Sequence, residues 1–379
     1  GSRILPKQVL TPGVSLKVAF DSQTFHRQRN GGISRLFTDL IQTFDESPQV
    51  GVEALTPFRY VSSSYTASRL RARGIRRTPK LLPRELAYLP SWVSGFRPPE
   101  NAQIVHHTYY DPRFLTPIGS RKRVITVHDM IPEILKGLKG YTGSHLAKRE
   151  YIQDSDLVIC VSESSKRDLI EHFGEPNATI VVIPNAVSRD FCPNKPTLPS
   201  LPRDYLLYVG KRKGYKSFSL LPEAVKLLIS EKLEVPVVVV GSRFNKEEEA
   251  HLSRLGVRHL FHQRSLDDIG LQSAYANSRM LIQTSSIEGF GMTPLEAMAS
   301  GAPVVIANTS AMPEVGGEVA RYFEPGDVTS LAAAISELLL DDDLCGRLSQ
   351  QGPRRAEGFS CLAMATRTAQ AYDLVLDSA

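Results

Sequence analysis

Ser285–Pro303 reads SSIEGFGMTPLEAMASGAP. Gly289 and Gly291 permit a tight turn in which the backbone approaches a ligand closely. Thr293 then has the character of a helix N-cap, with Pro294 at the first helical position and Glu296 at the third, the arrangement of a capping box. A helix starting there aims its free N–H groups and positive end at the preceding loop, an environment suited to a phosphate. The capping box would by itself account for Glu296. Glu288 has no such role, because it stands before the glycine turn and outside any helix, where its carboxylate could accept hydrogen bonds from sugar hydroxyls.

Outward from this stretch, Met280–Gln283 and Val304–Ile306 are short apolar, β-branched runs that read as strands, so the segment is the turn and helix of a strand–helix–strand unit. The same alternation runs through the whole chain. Before it come strands at Tyr205–Val209 and Val235–Val240 and helices around Leu220–Glu231 and Lys246–Leu255; after it comes a helix near Val328–Leu340. In the first half, Leu16–Phe20, Ile104–His107, Arg123–His128, Leu157–Val161 and Ile180–Ile183 read as strands. Helices are predicted at Ile33–Phe44, behind Gly31-Gly32, and at Ser164–Phe173. Between the two series, FCPNKPTLPSLPR at residues 191–203 has four prolines and no period, the composition of a linker. The expected architecture is α/β, with two doubly wound units of parallel strands facing each other across a cleft, at residues 14–190 and 204–358. The last helix, within residues 361–379, is expected to return to the first unit. Ligands of such sheets sit at the carboxyl ends of the strands.

The string EGFGMTPLEAMASGAPVV resembles the E-x7-E signature of retaining glycosyltransferases with the GT-B fold, closest to glycosyltransferase family 4. The likeness extends from Glu288 and Glu296 to Gly289, Phe290, Gly291, Pro294, Leu295, Ala297, Met298, Gly301, Pro303 and Val304. It implies that Glu288 holds hydroxyls of a donor sugar, that Glu296 binds the nucleotide ribose, and that amides around Gly291, Met292 and Thr293 receive the distal phosphate. After the strand Tyr205–Val209, GKRKGYKSF begins at Gly210 and places Arg212 and Lys216 where the family has an arginine and a lysine; Lys211 and Lys213 are alternatives. Two fixed cations at a strand end would stabilise a departing diphosphate. Gly31-Gly32 in RNGGISRLF resembles the family's glycine loop at the cleft, and His128 in VITVHDM resembles its histidine near the donor sugar. Asp129 beside it, and the cluster His106, His107, Tyr109 and Tyr110, are weaker candidates with structural alternatives.

The resemblance implies transfer of a hexose, from UDP-glucose or GDP-mannose, with retention of configuration. The acceptor would be a saccharide or a lipid-linked chain in polysaccharide biosynthesis. No cofactor or metal is expected. Asp154-Ser155-Asp156 has the form of a metal-binding DxD, but it precedes a strand in a stretch the family uses structurally. A non-catalytic nucleotide-sugar-binding subunit and a GT-B epimerase are the alternatives.

Composition agrees with a globular rather than a disordered protein: 379 residues, 42% apolar and 22% charged, a length that suggests two domains. No apolar run approaches the roughly 20 residues of a membrane span. Cys160, Cys192, Cys345 and Cys361 are scattered, with no metal-ligand spacing, which suggests reduced thiols and a cytoplasmic setting. The net charge is +5, and its distribution is uneven. From Arg59 to Arg97 there are nine basic residues and one acid, Glu85, interleaved with Tyr60, Tyr65, Tyr88, Trp92 and Phe96. Such a segment suits an anionic acceptor or a peripheral membrane contact. No nucleic-acid motif accompanies it, and no nucleic-acid partner is expected.

Overall fold

The computed structural model describes residues 15–27, 31–78, 96–135 and 147–377. The first sheet contains β1 (Leu16–Phe20), β2 (Val52–Leu55), β3 (Ile104–His107), β4 (Lys122–Val127), β5 (Leu157–Cys160) and β6 (Thr179–Val182), in the order β2-β1-β3-β4-β5-β6. The second contains β7 (Leu206–Val209), β8 (Val237–Val240), β9 (Phe261–Arg264), β10 (Met280–Gln283), β11 (Val304–Ala307) and β12 (Arg321–Phe323), in the order β9-β8-β7-β10-β11-β12. Every pairing in both is parallel. Central strands of such sheets are covered on both faces, which is why β8 is four consecutive buried valines and why β3, β5, β10 and β11 are buried along their whole length.

The main helices are α1 (Gly32–Glu46), α2 (Glu163–Phe173), α3 (Leu220–Ser230), α4 (Lys246–Leu255), α5 (Asp268–Ala276), α6 (Met292–Ala299) and α7 (Met312–Gly316). After them in the chain come α8 (Val328–Leu340), α9 (Asp342–Glu357) and α10 (Cys361–Leu376). Their local signals are legible: Ser162 caps α2, Asn245 and Glu248 form a reciprocal capping box on α4, and Ser360 caps α10.

The chain crosses between the two sheets twice. Past β6, Val187 bridges to Ser360, and just beyond it α10 lays Met364, Ala365, Ala369, Tyr372 and Val375 into the same core as Phe20, Phe37, Leu40 and Phe44. The Tyr372 hydroxyl lies 2.6 Å from Nδ1 of His106, and Nε2 of that ring lies 2.8 Å from the Thr126 hydroxyl. The last helix is therefore keyed to the centre of the first sheet by a buried polar chain as well as by apolar packing. Among the described residues no helix is long and apolar enough to cross a membrane.

The start of α6 corrects the sequence reading. Thr293 does not cap it. Gly291, at φ +118°, turns the chain two residues earlier and the helix begins at Met292. Proline is tolerated anywhere in a first turn, where N–H groups have no intrahelical acceptor, so Pro294 could not fix the boundary. No side chain caps α6, and Glu296 bonds elsewhere.

Candidate functional site

In the second sheet the strand order reverses between β7 and β10, and the loops leaving these two strands lie side by side. The first begins at Gly210, φ +122°, whose carbonyl would lie 2.8 Å from a Cβ at Gly241. It ends in a turn at Gly214–Lys216, closed by Ser217 in the left-handed region at φ +46°. The loops are laced together: Ser286 N–H donates to the Tyr215 carbonyl at 2.8 Å, and the Thr284 hydroxyl to the Lys216 carbonyl at 2.8 Å. This lacing brings the Lys216 ammonium onto Oε1 of Glu288, which also accepts a 2.8 Å bond from the Gln283 amide. The Glu288 N–H donates to the Ser310 hydroxyl at 2.9 Å, and Ser310 itself has φ +45°. Lys216 and Glu288 are thus oriented from four sides, at the switch point where open α/β sheets bind ligands.

Opposite them stands the end of β4. A Cβ on Gly289 would lie 2.1 Å from the His128 carbonyl oxygen and 2.7 Å from Asp129 Cβ, so only glycine permits this approach. The His128 N–H donates to the Tyr110 hydroxyl at 3.1 Å, and its imidazole meets Phe37 edge-on at 5.9 Å between centroids. Burial raises the Asp129 carboxyl above its usual range, against the pull of the Lys148 ammonium. That ammonium, itself fully buried, donates to the Asp129 carbonyl at 2.9 Å and to Glu133 at 2.7 Å. Gly31, extended at φ −147°, precedes α1, and a Cβ on Gly32 would meet nothing within 4 Å.

Along α6, Gly291 is a second close contact, since a Cβ there would lie 2.8 Å from Met312 Cε. Phe290 is buried and meets Phe359 edge-on at 5.9 Å, while Met292 and Thr293 are half-buried at the helix start. Glu296 accepts a 2.9 Å bond from the Tyr275 hydroxyl. Burial raises its carboxyl to about 7, although Arg35 and the Tyr275 hydroxyl both pull it downward. Arg35 belongs to α1, forms an ion pair with Asp268 across the cleft and stacks on Tyr65 at 4.9 Å.

Arg212 is not part of the Lys216–Glu288 cluster. Its guanidinium makes a two-pronged pair with Glu248 at 2.8 and 3.0 Å and donates to the carbonyls of Ser242 and Arg243 at 2.9 Å each. It lies between Phe218 and Phe244, and its side chain is 4% exposed. Its geometry is that of a staple between the loops leaving β7 and β8.

The weaker candidates resolve into framework. Arg123 donates to His107 Nε2 at 2.7 Å, so the other nitrogen carries the proton toward Asp21 Oδ2 at 2.8 Å; this buried trio is structural. Burial lowers His106 to about 3, leaving it a neutral link to Tyr372. Asp156 accepts the Arg123 N–H at 2.8 Å and pairs with Lys122. Among the described residues there is no group of three or more His, Cys, Asp or Glu placed to hold a metal ion. In the basic segment, Arg69 pairs with Asp190 and Arg73 with Asp45, while Arg59, Arg71, Arg76 and Arg77 are exposed. Lys80, Arg84, Glu85, Tyr88 and Trp92 lie outside the described residues. Gln283, Ser310 and Tyr275, which orient the two glutamates, carry no sequence signal of that role; the non-glycine positive φ of Ser310 is visible only in three dimensions.

Comparison with known proteins places this arrangement. Residues 30–191 match the model of Glycosyltransferase Family 4, and residues 194–355 match that of Glycosyl transferases group 1. The O-antigen chain mannosyltransferase B of Escherichia coli is 30% identical over 286 residues, 71% of this chain and 74% of that protein. The serotype-specific mannosyltransferase WbdA of Escherichia coli is 24% identical over 276 residues, 68% of this chain but only 34% of that protein. The crystal structure of HepE from Anabaena, in complex with UDP and glucose, superposes with a TM-score of 0.72 at 17% identity, covering 94% of this chain and 99% of that one. The chain belongs to the family 4 glycosyltransferases, and its two facing parallel sheets are the GT-B fold.

Proposed function

We propose that the protein transfers a hexose from a nucleotide diphosphate-sugar to a saccharide or lipid-linked acceptor with retention of anomeric configuration, and without a metal ion. The observation that carries this reading is the Lys216–Glu288 pair at the switch point, facing His128 across the cleft. Lys216 supplies positive charge for the leaving diphosphate, together with the N–H groups at Gly291, Met292 and Thr293 at the start of α6. Glu288 accepts hydroxyls of the transferred sugar, Glu296 accepts the ribose hydroxyls, and His128 orients the sugar from the other unit. The open space over Gly32 leaves room for the diphosphate or the acceptor. Arg212 serves the diphosphate indirectly, by holding the Gly210–Lys216 loop.

With both glutamates engaged in recognition, front-face displacement is the mechanism that fits. The acceptor oxygen bonds to the anomeric carbon as the carbon–oxygen bond to the diphosphate breaks, and the hydroxyl proton passes to the departing phosphate oxygen. Orientation and charge stabilisation supply the rate enhancement. The similarity to two mannosyltransferases favours GDP-mannose over UDP-glucose as donor and a growing surface polysaccharide as acceptor. The exposed arginines of the 59–97 segment would meet an anionic acceptor or membrane surface. The test is a panel of GDP- and UDP-sugars in chelator, with the product's anomeric configuration read by NMR. One productive donor and a retained anomer support the reading; an inverted anomer, or turnover only after a divalent ion is restored, refutes it.

A further inference from the structure

The loop that carries Glu288 grows from the second sheet, yet the first unit grips it as well. Gly289 lies against the His128–Asp129 backbone on one side. On the other, its carbonyl accepts two hydrogen bonds from the first turn of α2: from the Ser162 hydroxyl at 2.7 Å and from the Ser165 hydroxyl at 2.9 Å. The same turn is held by a residue of the second unit. Glu314, on α7, places one carboxylate oxygen 2.7 Å from the Glu163 N–H and the other 2.7 Å from the Ser164 N–H. Arg355 fixes α7 in turn, donating to the Glu314 carbonyl at 2.7 Å and to the Val315 carbonyl at 3.1 Å. Four hydrogen bonds thus cross between the units within one helical turn, all donated by α2 to acceptors of the second unit. Ser162 and Ser165 are buried, so their hydroxyls are dry and directed.

Ser162 has two separable duties. Its Oγ accepts the Ser165 N–H at 2.9 Å as the N-cap of α2, and its O–H donates to Gly289. Capping requires only an acceptor; holding a carbonyl requires a donor. We propose that Ser162, Ser165 and Glu314 are positioning residues that lock the donor loop across the cleft, so that the Glu288 carboxylate is presented to the sugar only when the two units are closed. Its catalytic consequence rests on the proposed role of Glu288. Sugar recognition is thereby made conditional on closure, whereas the nucleotide, held at Glu296 within the second unit, binds to the open form as well.

The test separates capping from locking. Ser162→Asp combined with Ser165→Ala keeps a strong N-cap acceptor but removes both donors to Gly289, whereas Ser162→Thr keeps acceptor and donor. The double variant leaves the Gly289 carbonyl without its two donors, so it is expected to melt lower but to stay folded at assay temperature and to bind the free nucleoside diphosphate with unchanged Kd. Its kcat should fall roughly tenfold or more, the scale of a misplaced reacting group. Ser162→Thr should retain wild-type kcat. Glu314→Ala should speed hydrogen exchange at the Glu163 and Ser164 amides at least tenfold and lower kcat in parallel. Wild-type kcat in the double variant, or nucleotide affinity falling in step with kcat, would overturn the lock. So would unchanged exchange in Glu314→Ala, a readout that needs no donor. A wild type that turns over no nucleotide sugar would instead refute the proposed function.

Discussion

Lys216 and Glu288 neutralise each other in the unliganded site, so an arriving diphosphate competes with a carboxylate for the ammonium. Glu288→Ala should therefore bind free nucleoside diphosphate somewhat more tightly, about threefold to tenfold, the worth of a modest ion pair. It should nonetheless transfer sugar far more slowly; calorimetric titration and initial rates check the two halves. Lys216→Ala should lower kcat about 100-fold, as loss of one transition-state stabilising group does. Arg212→Ala is expected to act chiefly on stability. It would leave the Glu248 carboxylate only its capping bond from the Asn245 N–H and would empty two carbonyls, at about 1–2 kcal/mol read by denaturant titration. Glu296 adds a pH dependence. Its carboxyl is raised to about 7 and, in the role proposed for it at the ribose, accepts two hydroxyls only when ionised. Nucleotide affinity should rise with pH up to about 7 and then level, with proton release below that point. The unliganded fold loses stability from this group over the same rise, because burial opposes the charged form. Glu296→Gln should flatten both profiles.

At the scale of elements, the glycine turn between β10 and α6 sets the geometry. Gly289→Ala would drive a methyl into the His128 carbonyl and prevent the approach of the two units. A loss of transfer exceeding tenfold, with nucleotide affinity retained, is the expected kinetic signature. This loop was also where the sequence was most informative, because glycines, proline and glutamates have distinct backbone and charge requirements. The misplacement of the α6 N-cap shows the limit of such reading. A proline fits several first-turn positions, and a Thr-x-x-Glu pattern cannot reveal that Tyr275, from α5, has taken the glutamate. Arg212 illustrates the same limit, since Glu248 lies 36 residues away and pairs with it only after α4 has docked. The parallel strands were legible because their burial on both faces demands continuous apolar runs, as in Val237–Val240.

Across the whole molecule, contacts that no local pattern encodes hold the parts together: the Tyr372–His106–Thr126 chain ties the last helix to the first sheet, and the Arg35–Asp268 pair and the bonds around Gly289 join the two units. Tyr372→Phe leaves a fully buried imidazole nitrogen without its partner and should cost about 1–2 kcal/mol in urea unfolding, with little effect on nucleotide affinity. In the proposed reaction the sugar is read by Glu288, on a loop whose charge partner is Lys216. That reading is tested most directly by nucleoside diphosphate release from the productive donor, with acceptor and chelator present, in wild type and Glu288→Ala. The expected result is turnover in the wild type and a loss of about 100-fold in the variant, with nucleotide binding kept or tightened. Equal rates in the two proteins would contradict it.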